Sequence, residues 1–159
     1  MNDLDFEMDD SELSRGLELV RRYARHPRKV ITAALFVLDR KIRDSFQAQQ
    51  SPYGKKWKEL KPNTIKGRRR KNINRNSILL ATGVLFRSLD RVVTSDNRGR
   101  ISIGAENRPV VPHQFGASEI NLPARPIMPI KPPGIVAIPR EWQKDINEEL
   151  IKGLEDSLK

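Results

Sequence analysis

Cysteine is absent from the 159-residue chain, which excludes a disulfide framework and any thiolate metal site. Histidine is nearly absent: His26 and His113 are too few for most zinc sites. Long apolar runs are missing as well. The most apolar stretch, Val30 to Leu38, falls far short of the roughly 20 residues a membrane-spanning helix needs. The first residues are acidic, the reverse of a basic signal-peptide start. The sequence therefore predicts a protein made in the cytoplasm, with no membrane partner. Its length suits one domain with a core that needs no covalent staple.

Catalytic motifs are lacking too. Gly99 and Gly104 are spaced like a phosphate loop, but no Lys-Ser/Thr pair follows them. Neither a Gly-x-Ser-x-Gly elbow nor a His-Glu-x-x-His helix occurs. The acid pairs Glu148-Glu149 and Glu155-Asp156 read as the solvated side of a helix, not as paired catalytic carboxylates. His113 has no matched nucleophile or acid nearby in sequence, so a hydrogen-bonded structural histidine is favoured over a general base. No catalytic residue, cofactor or metal site is expected, and a nuclease or lysozyme lacks its constellation.

What is present is charge, unevenly placed. The net charge is +10. Asp3, Asp5, Glu7, Asp9, Asp10 and Glu12 make the start acidic, and positions 1–10 read as a flexible acidic arm. Positions 55–75 hold ten bases against Glu59 alone. Such polarity bears on partners and association, not on fold. Trp57 among Lys55, Lys56 and Lys58 suits contact with single-stranded nucleic acid, but Tyr53 and Trp57 are the only aromatics there, so sequence readout is poorly supported. For Arg68-Arg69-Arg70-Lys71, phosphate contact and a solvated loop both stay open.

Periodicity predicts a first helix from about Ser11 to His26 and a second from Pro27 to about Gln49. Ile31, Leu35, Leu38, Ile42 and Phe46 share one stripe of the second, while Val30, Phe36 and Val37 fall off it. That helix should be covered on more than one side. Ser51-Pro52-Tyr53-Gly54 signals a turn, followed by a long basic loop over about 51–77 with room for one short helix. Ile78 to Leu89 reads as a short helix or helical turn. Positions 91–94 and 100–103 form a hairpin around a five-residue loop containing Gly99. Prolines from 109 to 139 limit later strands, such as Ile135 to Ile138, to short or edge positions. Pro139 opens a last helix whose apolar face, from Trp142 to Leu158, is wide enough for two partners. Arg125 between prolines is a rigidly presented guanidinium suited to a carboxylate. The prediction is an α+β fold over 11–159, with two or three helices on a small antiparallel sheet, a β-hairpin and Pro-rich loops.

Three blocks, in order, resemble one family. Pro52-Tyr53-Gly54-Lys55-Lys56-Trp57-Lys58-Glu59-Leu60 is similar to its Pro-x-Gly-x-x-Trp-x-x-Leu segment. Thr82-Gly83-Val84-Leu85-Phe86-Arg87-Ser88 is similar to Thr-Gly-x-Leu-x-x-Ser. His113-Gln114-Phe115-Gly116 and Ala124-Arg125-Pro126 are similar to its His-Gln-Phe-Gly and Ala-Arg-Pro-Phe blocks. The chain departs from the pattern at Val111-Pro112, where the family has Tyr-Ala, and at Ile127, where it has an aromatic. The chain thus resembles the phage virion morphogenesis family, the tail completion proteins of Mu-like and related contractile-tailed phages. The resemblance implies a non-enzymatic structural protein of a phage or prophage virion, acting in head–tail joining at the neck. It also implies a homo-oligomeric ring of six copies between tail terminator or tube proteins and head connector proteins. Non-specific contact with packaged DNA is compatible with this, since a ring lining a DNA channel gains from positive charge. The candidate interaction surface is Lys55, Lys56, Trp57, Lys58, Arg68, Arg69, Arg70, Lys71, His113, Gln114, Phe115 and Arg125. The alternative function is nucleic-acid binding through Lys55–Arg75.

Overall fold

The fold is taken from a computed structural model that describes residues 21, 25, 27–73, 77–96, 98–104, 110–132 and 134–156. The expected acidic arm, and all of the expected first helix except Arg21 and Arg25, lie outside the described residues.

Helix α1 spans Pro27–Gln47. Proline suits its first turn, where an N–H has no partner to lose. The helix ends where Gln49 takes a left-handed φ of 55° and Gln50 N–H bonds back to the Ser45 carbonyl. That six-to-one closure is usually the work of glycine. Here the Gln49 side chain supports it by donating to the Phe46 carbonyl.

Helix α1 carries the last helix and the first hairpin, and it is covered from two directions, as its apolar breadth requires. The last helix, α5 (Arg140–Asp156), lies on one side, with Lys41 of α1 paired to Asp145. The hairpin β1 (Asp90–Ser95) and β2 (Arg98–Ser102) lies on another. Val37, off the stripe, is fully buried, while Phe36 stays exposed under the Arg91 guanidinium, 4.8 Å from its ring centre. On α5, Trp142 is buried and Ile151 is half exposed.

The hairpin differs from expectation in one instructive way. Its strands close on the pair Ser95 and Arg98, so Gly99 is a strand residue opposite Val93 rather than part of the loop. A Cβ at Gly99 would come within 2.6 Å of both Ile31 and Leu35. The glycine serves close approach of strand and helix, not turning.

Between α1 and the hairpin lie α2 (Pro62–Arg70) and the four-residue α3 (Val84–Arg87). The segment 78–89 is therefore mostly not helical. Leu79 at φ 62° and Gly83 at φ 69° interrupt it, since a left-handed residue cannot continue a right-handed helix. Its apolar residues still reach the core: Ile78, Leu85 and Leu89 join Ile42, Phe46, Trp57, Ile127, Met128 and Trp142 in one cluster.

After β2 come α4 (Val110–Phe115), a short 3-10 turn at Ser118–Ile120, and a second hairpin of β3 (Ile130–Lys131) and β4 (Ile135–Val136). The His113 block is thus helical, and Gly116 caps that helix. Its φ is 85°, its N–H bonds to the Pro112 carbonyl, and a side chain there would crowd Ala124 N at 3.1 Å. The architecture is α+β, as expected. Among the described residues, the strands form two separate ribbons instead of one sheet. The short second ribbon is what dense proline permits.

Candidate assembly surface

The basic stretch begins with a tight turn. Gly54 N–H bonds to the Ser51 carbonyl, with Pro52 in the position where proline presets φ. Ser51 N–H and the Lys55 carbonyl close the ring, and Trp57 N–H reaches the Gln49 carbonyl. This positions the Trp57 side chain inward. It is buried, meets Phe46 edge-to-face at 5.6 Å, and donates Nε1–H to the Pro126 carbonyl at 2.9 Å. Phe46 in turn meets Phe86 edge-to-face at 5.6 Å, so Trp57 extends a three-ring aromatic core.

Pro126 belongs to the third sequence block, and a second bond set joins the same two segments. Arg125 is buried and donates Nε–H to the Lys58 carbonyl at 2.9 Å and Nη2–H to the Glu59 carbonyl at 3.1 Å. Its expected carboxylate partner is therefore corrected: the planar guanidinium fork grips two successive backbone carbonyls. Burial, then the nearby charge of Arg68, lowers its pKa. The Arg125 N–H bonds to the His113 carbonyl, which ties α4 to the same junction.

Gln114 completes the frame. Its Oε1 accepts from Ile127 N–H at 2.8 Å and Met128 N–H at 3.0 Å. Its Nε2 donates to the Met128 and Ile130 carbonyls at 2.9 and 3.0 Å. One buried amide thus satisfies four backbone groups of a proline-rich segment that has few ladder partners. Ile127, where the family pattern has an aromatic, is fully buried beside it.

These placements divide the candidate surface. Trp57, Gln114 and Arg125 are corrected from surface to frame, because burial removes them from any partner's direct reach. Lys55, Lys56, Lys58, Arg69, Arg70, Lys71 and Phe115 are exposed. Arg68 and His113 are partly buried and line a cleft. Arg68 donates Nη1–H to the Ser77 carbonyl at 2.7 Å. The Arg68–Lys71 run is neither loop nor random coil. It is the last turn of α2 and the residue after it, where cations complement the helix dipole.

Two clefts border the 123–126 segment. One, of about 490 Å³, is lined by Lys61, Arg68, His113, Ile120, Leu122 and Arg125 among others. The other, of about 550 Å³, is lined by Tyr53, Lys55, Lys56, Lys58, Ala124 and Pro126 among others. Tyr53 also donates its hydroxyl to the Ala137 carbonyl at 3.1 Å. Burial lowers the His113 pKa, Arg125 lowers it further, and the buried His113 Nδ1 has no hydrogen-bond partner. Lys61, Ile120 and Gln49 were not singled out in the sequence. Only Lys61, immediately before Pro62, carried a signal, as the residue entering a helix. Among the described residues, no cluster of three metal-ligating side chains occurs, and no helix is long and apolar enough to cross a membrane.

Residues 8–154 match the phage virion morphogenesis family. The chain belongs to that family. No curated protein and no solved structure matches it. Membership gives the chain a part in building the phage particle. In the structure, Trp57 of the first block and Gln114 and Arg125 of the third brace the frame.

Proposed function

We propose that this member of the phage virion morphogenesis family works at the head–tail junction, as a ring that docks on tail and connector proteins. It acts by binding, without turnover. The observation that supports this is the division of labour between side chains. The residues of the family blocks are spent on internal bracing, and the braced segments hold Lys55, Lys56, Lys58 and Phe115 outward at fixed positions. A rigid exposed face is what docking needs, because little ordering entropy is then lost on association. Negative-stain imaging of the purified chain, with co-sedimentation on tails, tests the reading. Rings that bind tails are expected. A chain that stays monomeric at high concentration and never co-sediments sinks it.

A second reading, contact with packaged DNA, is favoured by the exposure of Arg69, Arg70 and Lys71 at the end of α2. It predicts affinity that falls steeply with salt. No measurable affinity at low salt removes it.

A further inference from the structure

We propose that the cleft at Lys55 and Lys58, with the adjoining edge of β4, takes an extended acidic segment of a partner protein that carries apolar residues between its carboxylates. The inference rests on the docking reading only in treating this face as one that meets protein. It needs no ring.

The positive charge here is unspent. Lys55 and Lys58 line the cleft of about 550 Å³ and are exposed, and among the described residues neither ammonium has a hydrogen bond or ion pair. Lys56 is engaged by contrast, donating Nζ–H to the Ala48 carbonyl. No carboxylate is among the described lining residues. Unpaired cations with no neighbouring anion are complementary to a carboxylate-bearing ligand. The site is also preformed. Arg125 holds the carbonyls of Lys58 and Glu59, and Pro123, Ala124 and Pro126 supply further lining. Proline fixes its own φ, so little order is left to impose on binding.

The cleft leads to an apolar edge. Tyr53 lines it and donates its hydroxyl to the Ala137 carbonyl at 3.1 Å, which joins the cleft to the end of β4. There Ile135 is 63% and Val136 67% exposed. Among the described residues β4 pairs with β3 alone, so its outer edge is open to a further strand. A peptide laid along that edge covers the two apolar side chains and brings carboxylates to Lys55 and Lys58. A nucleic-acid strand fits less well. Stacking needs open ring faces, but Trp57 is buried and Lys131 stands over the Tyr53 ring, 5.2 Å from its centre. Phosphates would also leave Ile135 and Val136 uncovered.

Titration of the ¹⁵N-labelled full chain at low salt, followed by amide chemical shifts, tests this. The probe is a blocked synthetic peptide alternating aspartate and valine. Saturable shifts are expected at Lys55, Lys58, Ala124, Ile135 and Val136. Lys55→Gln with Lys58→Gln should weaken binding about tenfold, the sum of two exposed ion pairs. Ile135→Thr with Val136→Thr should weaken it about fivefold at unchanged charge. Arg69→Gln with Arg70→Gln removes the same charge elsewhere and should leave affinity within about twofold. All these side chains are exposed, and unchanged amide shifts away from the cleft confirm the fold of each variant. The proposal is overturned if the two arginine replacements weaken binding as much as the two lysine replacements, or if a peptide with asparagine for aspartate binds equally well. Shifts at these residues with an oligothymidylate strand but not with the peptide overturn it in favour of nucleic acid. Shifts there that follow protein concentration without peptide overturn it in favour of a second copy. Rings that bind tails, with no peptide shifts, would overturn this inference alone, and peptide binding without rings would leave it standing.

Discussion

Lys55–Lys61 and Arg68–Lys71 each carry four cations, and they meet opposite fates. The first segment is held at several points along its backbone. Trp57 anchors it in the aromatic core and to the Pro126 carbonyl, and Arg125 clamps the carbonyls of Lys58 and Glu59. The second is the end of a helix with no buried residue, tied to the following segment by the bond from Arg68 to the Ser77 carbonyl. The number of cations does not distinguish the two. What distinguishes them is the apolar residue and the carbonyls between the charges. The cations of the first segment are therefore a fixed pattern on a braced backbone, and those of the second stand on an exposed helix terminus. Substitutions can widen or erase this contrast.

The largest effect should come from Trp57→Ala. It removes a buried indole from contact with Phe46 and strands the Pro126 carbonyl. Large-to-small aromatic replacements in cores cost about 3–5 kcal/mol. Urea denaturation at neutral pH should show a drop in stability within that range. A drop below about 1 kcal/mol would mean that the first segment is no better anchored than the second. Trp57→Phe keeps most of the burial and should cost far less.

Gln114→Leu comes next. It leaves the Ile127 and Met128 N–H groups without their acceptor and takes one donor from the Met128 and Ile130 carbonyls, of which Met128 keeps the Ile130 N–H. Each stranded buried polar group costs about 1–3 kcal/mol, softened where solvent can enter. A net destabilisation of about 3 kcal/mol is expected in the same denaturation measurement. Faster amide exchange at Ile127 and Met128 should accompany it, since both N–H groups depend on the one Oε1.

How far these roles were legible follows from the kind of interaction that creates them. The helices α1 and α5 and the first hairpin were readable, because burial on one face imposes a period on the sequence. The bracing by Gln114 and Arg125 was not. A side chain that serves distant backbone groups leaves no periodic trace, and both residues looked like surface polar groups in a loop. Gly99 misled for a related reason. Glycine between two strands signals a turn, yet here the α1 side chains Ile31 and Leu35 claim the space its Cβ would fill. The break in 78–89 was half visible. Gly83 announced it, but Leu79 at positive φ did not, because leucine is ordinarily a helix former. The block pattern marked the right positions while suggesting the wrong location for Gln114 and Arg125, since the sequence does not say whether a polar residue faces a partner or the protein's own backbone.

A smaller effect should appear in the pH dependence. His113 has its pKa lowered from 6.5, first by burial and then by the Arg125 charge. The folded chain therefore holds the neutral imidazole more strongly than the unfolded chain does. In this window the unfolded state binds more protons, so stability rises with pH. The contribution is fully present above about 6.5 and disappears as pH falls through the lowered folded value. Denaturation midpoints compared between pH 7.5 and 5 should fall for the native chain and fall less for His113→Asn. Equal slopes would mean that His113 titrates as a solvated group and that the Arg125 junction does not reach it.

The smallest effect on folding should follow from Arg69→Gln, Arg70→Gln and Lys71→Gln together, with Arg68 retained. All three are exposed at the end of α2, where their charges complement the helix dipole through solvent and salt screening. The melting temperature should stay close to that of the native chain. DNA binding supplies the sharper measurement. If these side chains touch phosphate, removing them should lower the slope of log affinity against log salt by about 0.9 for each phosphate on duplex DNA that is no longer neutralised. The same replacement at Lys55, Lys56 and Lys58 should alter tail association instead, because those cations sit on a braced backbone that can match a protein surface. A salt slope that drops only with the first triple variant, and tail binding that drops only with the second, would assign DNA to the helix end and protein to the clamped segment. A slope that ignores both variants leaves Arg69, Arg70 and Lys71 with the helix dipole as their whole role.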